Sequence, residues 1–243
     1  ERDSTSFYGQ GTWNHSDSLR TVFGLRHTND EVYSAVTNFY GRSGTDILET
    51  DGNKVTGRFV IEKDIDDNTM VFGSFTRGYK PGGSNLTYGR EDTVAQIVVL
   101  PTFQEEIVDA FEVGLKTDLA GGRVRLNTAA FLYNYEGLQY QATDPEVFEG
   151  GVGNIPDSEI FGAELELSAF LSDDVILDLR MSWLDTEITA DHLALDNVES
   201  ESATNALLAQ GIGLFSDDVQ IARAGRIQNV RGNELAKTPS FTG

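Results

Sequence analysis

The chain has no cysteine, which excludes disulfide stapling and thiolate metal centres. It also lacks any run approaching the roughly 20 apolar residues of a transmembrane helix, although 39% of its 243 residues are hydrophobic. If it meets a bilayer, it does so with strands. Basic residues are scarce: 18 Lys and Arg stand against 39 Asp and Glu, a net charge of −21. Phosphate binding needs clustered cations, so no nucleic-acid partner is expected. The three histidines are dispersed, His15 at a tight turn, His27 near a strand end and His192 in a long connection, and a lone histidine reads as a polar surface group rather than a ligand. The glycine pairs at 82–83, 121–122 and 150–151 lack the strand-to-helix setting of a phosphate loop, and no G-x-S-x-G element is present. They read as turns. No catalytic residue, metal set or cofactor is expected, so the chain is not read as an enzyme.

What is present is a directional pattern. Four tight polar turns, Asn14 to Ser18, Asp64 to Asn68, Leu119 to Gly122 and Ser172 to Asp174, alternate with long irregular connections near 37–53, 80–104, 143–158 and 190–234. Short on one end and long on the other is expected of up-and-down antiparallel strands that cross a bilayer and carry their working loops on one side.

The runs between the turns alternate with period two. Val124, Leu126, Thr128, Ala130 and Leu132 fall on one face, with Arg125, Asn127, Ala129, Phe131 and Tyr133 opposite. Phe161, Ala163, Leu165, Leu167, Ala169 and Leu171 oppose Gly162, Glu164, Glu166 and Ser168, and Val175, Leu177, Leu179, Met181 and Trp183 oppose Asp178, Arg180 and Ser182. Such alternation is a strand signal and defeats a helical reading. Segments around 7–13, 19–26, 55–62 and 111–116 follow it more weakly, and residues 69–79 do not reveal an apolar face. Eight strands and a ninth beginning near Glu234 are expected, all-β and antiparallel, each reaching the roughly 9–11 residues that a tilted membrane strand needs.

Charge and aromatics have expected places on this scaffold. Arg20, Arg26, Arg58, Glu62, Glu112, Lys116, Arg125, Glu164, Glu166, Asp178 and Arg180 fall on polar faces, where a cross-strand ion-pair lattice is expected and a subset near the outer mouth could touch ligand. Trp13, Phe72, Tyr79, Tyr133, Tyr135, Tyr140 and Trp183 lie near strand ends, where amphipathic rings suit headgroup zones, Trp13 and Trp183 in opposite girdles. Much of the acid lies in the connections, in Asp144, Glu146, Glu149, Asp157 and Glu159, and in Asp191, Asp196, Glu199, Glu201, Asp217 and Asp218. A short helix is expected over Ala203 to Ile212. Glu1 is not an initiator methionine and the final K-T-P-S-F-T-G reads as a strand starting, so the chain is expected to be a piece of a longer one.

Several segments carry a resemblance. Asp67 to Asn85 (D-N-T-M-V-F-G-S-F-T-R-G-Y-K-P-G-G-S-N), Glu112 to Asp118 (E-V-G-L-K-T-D), Arg123 to Gln139 (R-V-R-L-N-T-A-A-F-L-Y-N-Y-E-G-L-Q), Gly162 to Leu167 (G-A-E-L-E-L) and Gly232 to Phe241 (G-N-E-L-A-K-T-P-S-F) resemble, in order, strands of TonB-dependent outer-membrane receptors. They are spread across residues 67–241, and their order and spacing are more specific than any one of them. The resemblance implies a C-terminal barrel of 22 strands around an N-terminal plug, with a box that engages TonB and draws on the inner-membrane proton gradient. Residues 1–243 would then be part of one such barrel domain, about 8–9 strands of it, with plug, TonB box and terminal strands absent.

The resemblance further implies a bacterial outer-membrane receptor that binds and imports a scarce nutrient such as a ferric siderophore, cobalamin, haem or an oligosaccharide. Its partners would be outer-membrane lipid, the nutrient, and TonB through the absent N-terminal region. Arg77, Tyr79 and Lys80 are the candidate ligand-contacting residues at the loop mouth, and the connections 80–104 and 190–234 are expected to be extracellular. A passive porin or barrel-borne adhesin would share the alternation and loop sorting, and a soluble β-sandwich would share the alternation alone.

Overall fold

The structure is a computed structural model that describes residues 1–37, 45–85, 100, 102–143, 150–214 and 216–243. Its strands are β1 (Arg2–Ser16), β2 (Leu19–Thr37), β3 (Thr45–Asp66), β4 (Thr69–Lys80), β5 (Gly83–Ser84), β6 (Thr102–Phe103), β7 (Glu106–Leu119), β8 (Val124–Thr143), β9 (Gly150–Phe170), β10 (Ile176–Ile188), β11 (Leu193–Leu195), β12 (Ile227–Asn229) and β13 (Phe241–Thr242). Two helices, α1 (Asn197–Leu208) and α2 (Asp217–Ala224), lie between β11 and β12. Nine strands form one antiparallel sheet in the order β1-β2-β3-β4-β7-β8-β9-β10-β13, while β5 pairs with β6 and β11 with β12.

All four tight turns form where the sequence places them, and each has a local cause. At Asp66 the side chain accepts from the Asn68 amide at 2.8 Å, an Asx turn. Ser16 and Ser172 do the same for Ser18 and Asp174, both at 3.3 Å. The β7–β8 turn runs through left-handed backbone at Ala120, Gly121 and Gly122, which glycine adopts without steric cost.

Register settles the faces. Across the ladder, Arg20, Glu62, Phe72, Gly114, Ala129, Glu164 and Ser182 stand in one row, and these are polar-face positions. The neighbouring row on the other face reads Trp13, Thr21, Ile61, Gly73, Val113, Ala130, Ala163 and Trp183. Residues 69–79, ambiguous in sequence, therefore turn Val71, Gly73 and Phe75 to the apolar face and Phe72, Ser74 and Thr76 to the polar one. Among the described residues nothing covers the apolar face: Val113 is 62% exposed and Phe23 55%. An exposed apolar surface of this extent marks an interaction with something apolar.

Four boundaries differ from expectation. The connections near 37–53 and 143–158 are mostly strand, because β2 and β3 stay paired to Thr37↔Thr45 and β8 and β9 to Thr143↔Gly150. Charged and polar side chains had suggested loop, yet main-chain pairing continues wherever two strands both extend. The ninth strand does not begin at Glu234. Residues 233–240 instead drape along β10, with Ile188 N donating to Asn233 O at 2.9 Å and Leu184 N to Ser240 O at 3.0 Å, and only β13 enters the ladder, opposite Ser182 and Trp183. The helix expected over 203–212 starts earlier, where the Asp196 carboxylate caps α1 by accepting from Glu199 N. Asp144, Glu146 and Glu149 lie outside the described residues, as do 38–44 and 86–99.

Candidate functional site

The outward face changes character along each strand. Apart from Lys63 near its turn and threonines such as Thr21, Thr117 and Thr128, it is apolar from the tight turns up to a row of Phe23, Phe59, Phe75, Phe111, Leu132 and Phe161. The next row outward reads Leu25, Gly57, Arg77, Asp109, Asn134, Glu159 and Glu187. From turn to first charged or amide side chain, Asp109, Asn134 and Asp185, is about 10 residues in β7, β8 and β10, the length a tilted strand needs to cross hydrocarbon. Trp13 lies toward the tight-turn end and Trp183 two residues before Asp185. The aromatic row is built by phenylalanines. Phe72, Tyr133 and Tyr135, expected in girdles, lie on the polar face instead: Lys116 stands 5.5 Å above the Phe72 ring, and Tyr133 stacks on Phe131 at 4.7 Å.

The polar face carries the expected lattice in part. Arg20 bridges Glu62 at 2.5 Å and Asp64 at 2.9 Å, Arg125 meets Asp118 at 2.8 Å and Arg180 approaches Glu166 at 3.9 Å. At its tight-turn end this face is hollowed into a depression of about 920 Å³ lined by Arg20, Asp64, Lys116, Asp118, Arg125 and others. These pairs are half-exposed, so each contributes little to stability and more to fixing which charge faces inward.

The three candidate mouth residues have three different surroundings. Arg77 stands on the outward face and forks onto Asp109, with Nε to Oδ1 at 2.6 Å. Tyr79 turns its hydroxyl toward the buried Asp30 carboxylate without hydrogen-bonding to it, while Arg2 pairs with that carboxylate at 3.0 Å. Its hydroxyl occupies the space that any Cβ at Gly52 would need. Lys80 is exposed, opposite Glu106 in the ladder. The three do not converge.

What converges beside them is a set of amides that sequence reasoning passed over. β4 and β7 end near Lys80 and Glu106 while the β2–β3 and β8–β9 hairpins continue outward. The root of the connection between β4 and β7, residues 81–85 and 102–105, fills the notch. Asn85 donates to Leu100 O at 2.8 Å and Val152 O at 2.9 Å and accepts from Val152 N at 2.8 Å. Asn154 accepts from Gln104 N at 2.8 Å and donates to Gly137 O at 2.7 Å, and Gln139 donates to Pro81 O at 2.9 Å and Gln104 O at 3.0 Å. Asn85 and Gln139 lie inside the family-like segments, but an isolated amide in a glycine-rich stretch gives no local sign that it will bridge strands distant in sequence.

Residues 190–232 form the other large feature. β11 and β12 make a short ladder beside β8, and α1 packs on α2 around Ser200, Thr204 and Val219. His192 Nε2 and the Tyr140 hydroxyl are 2.8 Å apart, with the rings edge to face. Burial lowers the His192 pKa from its ordinary value, so the imidazole is docked neutral. The undocked ring binds its proton at higher pH than the docked one, so docking weakens as pH falls below about 6.5. Hydrogen exchange across 190–195 should therefore be faster at pH 5 than at pH 7.5 after correction for intrinsic rates, and His192→Phe should remove that difference. Equal corrected rates in the native protein would contradict it. His15 lies 3.0 Å from Thr21 and His27 2.8 Å from Asn53, and among the described residues no group of three potential ligands could hold a metal ion.

A family of known proteins matches this chain along nearly its whole length. The family model described as TonB dependent receptor-like, beta-barrel, matches residues 1–242. The chain is similar to the siderophore receptor PiuA from Acinetobacter baumannii, with a TM-score of 0.68 at 18% identity over 99% of this chain and 30% of that one. It is similar to the ferric yersiniabactin uptake receptor FyuA from Yersinia pestis, with 0.60 at 20% identity over 76% and 27%. The copper transporter OprC gives 0.59 at 14% identity over 76% and 29%. The chain thus spans less than a third of each, and at these identities the likeness is one of fold.

Proposed function

The chain belongs to the TonB-dependent receptor-like β-barrel family, and from that premise we propose that it forms part of the wall of a bacterial outer-membrane receptor that binds a scarce nutrient and imports it. The observation that carries this reading is the outward apolar band, bounded by tight turns at one end and by the charged row at the other, with paired strands continuing beyond it into long connections. Such a sheet needs hydrocarbon on one face and a polar filling on the other. Import proceeds by binding and gating, without covalent chemistry in this chain.

A ferric siderophore is the first cargo to test, because PiuA is named a siderophore receptor and FyuA a ferric yersiniabactin uptake receptor; OprC, named a copper transporter, keeps the cargo open within the same fold. Energy is drawn through TonB by parts of the receptor outside this chain. Cells that carry the full-length receptor as their only importer should accumulate radiolabelled iron from at least one siderophore in a panel that also includes cobalamin, haem and an oligosaccharide. A protonophore should stop that accumulation. Uptake insensitive to the proton gradient would favour a passive pore, and no uptake of any panel member would sink the nutrient-import reading.

A further inference from the structure

The two hairpins β2–β3 and β8–β9 rise past the charged outward row, but β4 and β7 between them stop short, so above that level no main-chain ladder among the described residues joins one hairpin to the other. We propose that the root of the 81–105 connection is a fixed strut that ties the two hairpins into one body, with Asn85 and Gly137 as the positions on which it depends. This rests on the sheet alone and holds for any barrel built from it, whatever the cargo.

On the β2–β3 side, the root is held by Ser84 Oγ donating to Ser34 Oγ at 2.7 Å, by the Lys54–Glu105 ion pair, and by β5 lying against both strands. Just before the root, Tyr79 packs against Gly52 of β3. On the β8–β9 side, Asn85 is only 6% exposed and makes three hydrogen bonds, two of them to the main chain of Val152. Its amide therefore acts as an inserted peptide unit, with donor and acceptor both matched as in a strand pair. Leaving either group unmatched would strand a buried polar atom.

Gly137 lets the root approach β8 main chain to main chain. Its φ is +67°, and a Cβ there would sit 2.5 Å from the Glu105 carbonyl oxygen. Any side chain would both strain this backbone and push the root away. The amides of Asn85, Gln139 and Asn154 are consumed in holding the root, which removes them as ligand donors. The chain that continues from Asn85 and returns at Leu100 accordingly springs from two anchored ends held together by the Asn85–Leu100 bond.

The test uses the full-length receptor in detergent micelles, without ligand. In the native protein the Val152 amide should exchange slowly, and Asn85→Leu should speed it by about tenfold, the factor corresponding to one lost buried hydrogen bond, with exchange across 124–133 and 161–170 unchanged. Spin labels on cysteines at the exposed positions Asp51 and Pro156 read the strut directly: the distance distribution should be narrow in the native background and broader with Asn85→Leu. Gly137→Ala should broaden it likewise, and serves as the second variant if Asn85→Leu does not fold. A distribution that stays narrow in either folded variant would overturn the proposal, because something other than the root would then hold the hairpins together. Neither readout involves uptake, so failure here is distinct from failure of the import reading.

Discussion

Placing arginine at Leu165 or Leu179 should destabilise the barrel by about 2–4 kcal/mol in lipid vesicles, whereas arginine at Ser182 should cost far less. Leu165 lies opposite Thr128 and Met181, and Leu179 opposite Leu167, all on the face that no described residue covers. Leu165 sits between the aromatic row at Phe161 and the turn at Ser172, so a guanidinium there is far from either headgroup zone and can snorkel least. Ser182 is opposite Glu164 on the other face, where a cation meets a carboxylate. Ser168→Arg would face Arg125 across one ladder and Asp178 across the other, so its two new interactions oppose each other. Reversible urea unfolding of the full-length receptor gives the four values. Equal costs on the two faces would mean that no bilayer meets the apolar side.

The face assignment was legible because period two is a property of adjacent residues: Leu165 and Glu164 differ in sequence as they differ in surroundings. The tight turns were legible for the same reason, since Asp66 and Ser172 act on amides two residues away. Strand ends were not. Whether Thr45 to Asn53 extends β3 depends on Asn29 to Thr37 lying alongside it, and those partners' side chains look like loop. Strand β4 shows the converse, because its mixed pattern of Met70, Val71, Phe72 and Gly73 is resolved only by neighbours on both sides.

At the mouth, type and number of polar groups were visible but their partners were not. Arg77, Tyr79 and Lys80 read as one cluster in sequence, while the partner of Arg77, Asp109, is set directly opposite it by the ladder from 32 residues away. The Asn85 to Val152 bonds span 67 residues, and nothing local in G-G-S-N distinguishes such an amide from an ordinary turn residue. The extent of α1 was partly legible: its helix-favouring stretch from Ala203 showed, while Asp196 as its cap required seeing the chain leave β11.

Removing the helical excursion between β11 and β12 should abolish nutrient uptake while leaving the barrel folded. The two ends are already adjacent, since Asp196 N donates to Arg226 O at 3.0 Å and Leu195 pairs with Ile227. Residues 197–225 can therefore be replaced by Asn-Gly, which closes a two-residue hairpin on the existing ladder. The helices pack mainly on each other around Val219 rather than on the wall, and a shorter surface connection costs little loop entropy, so the unfolding midpoint should change by no more than about 0.5 kcal/mol in stability. Uptake is expected to fail because binding groups concentrate on long connections held by a rigid scaffold. The replaced segment also carries four carboxylates, Glu199, Glu201, Asp217 and Asp218, against Arg223, a field that favours cationic cargo approaching the mouth. Measured together on the same cells, an unchanged midpoint with lost uptake places the excursion in the ligand path. Unchanged uptake with an unchanged midpoint removes it, and shifts the search to the chain carried by the Asn85–Leu100 root.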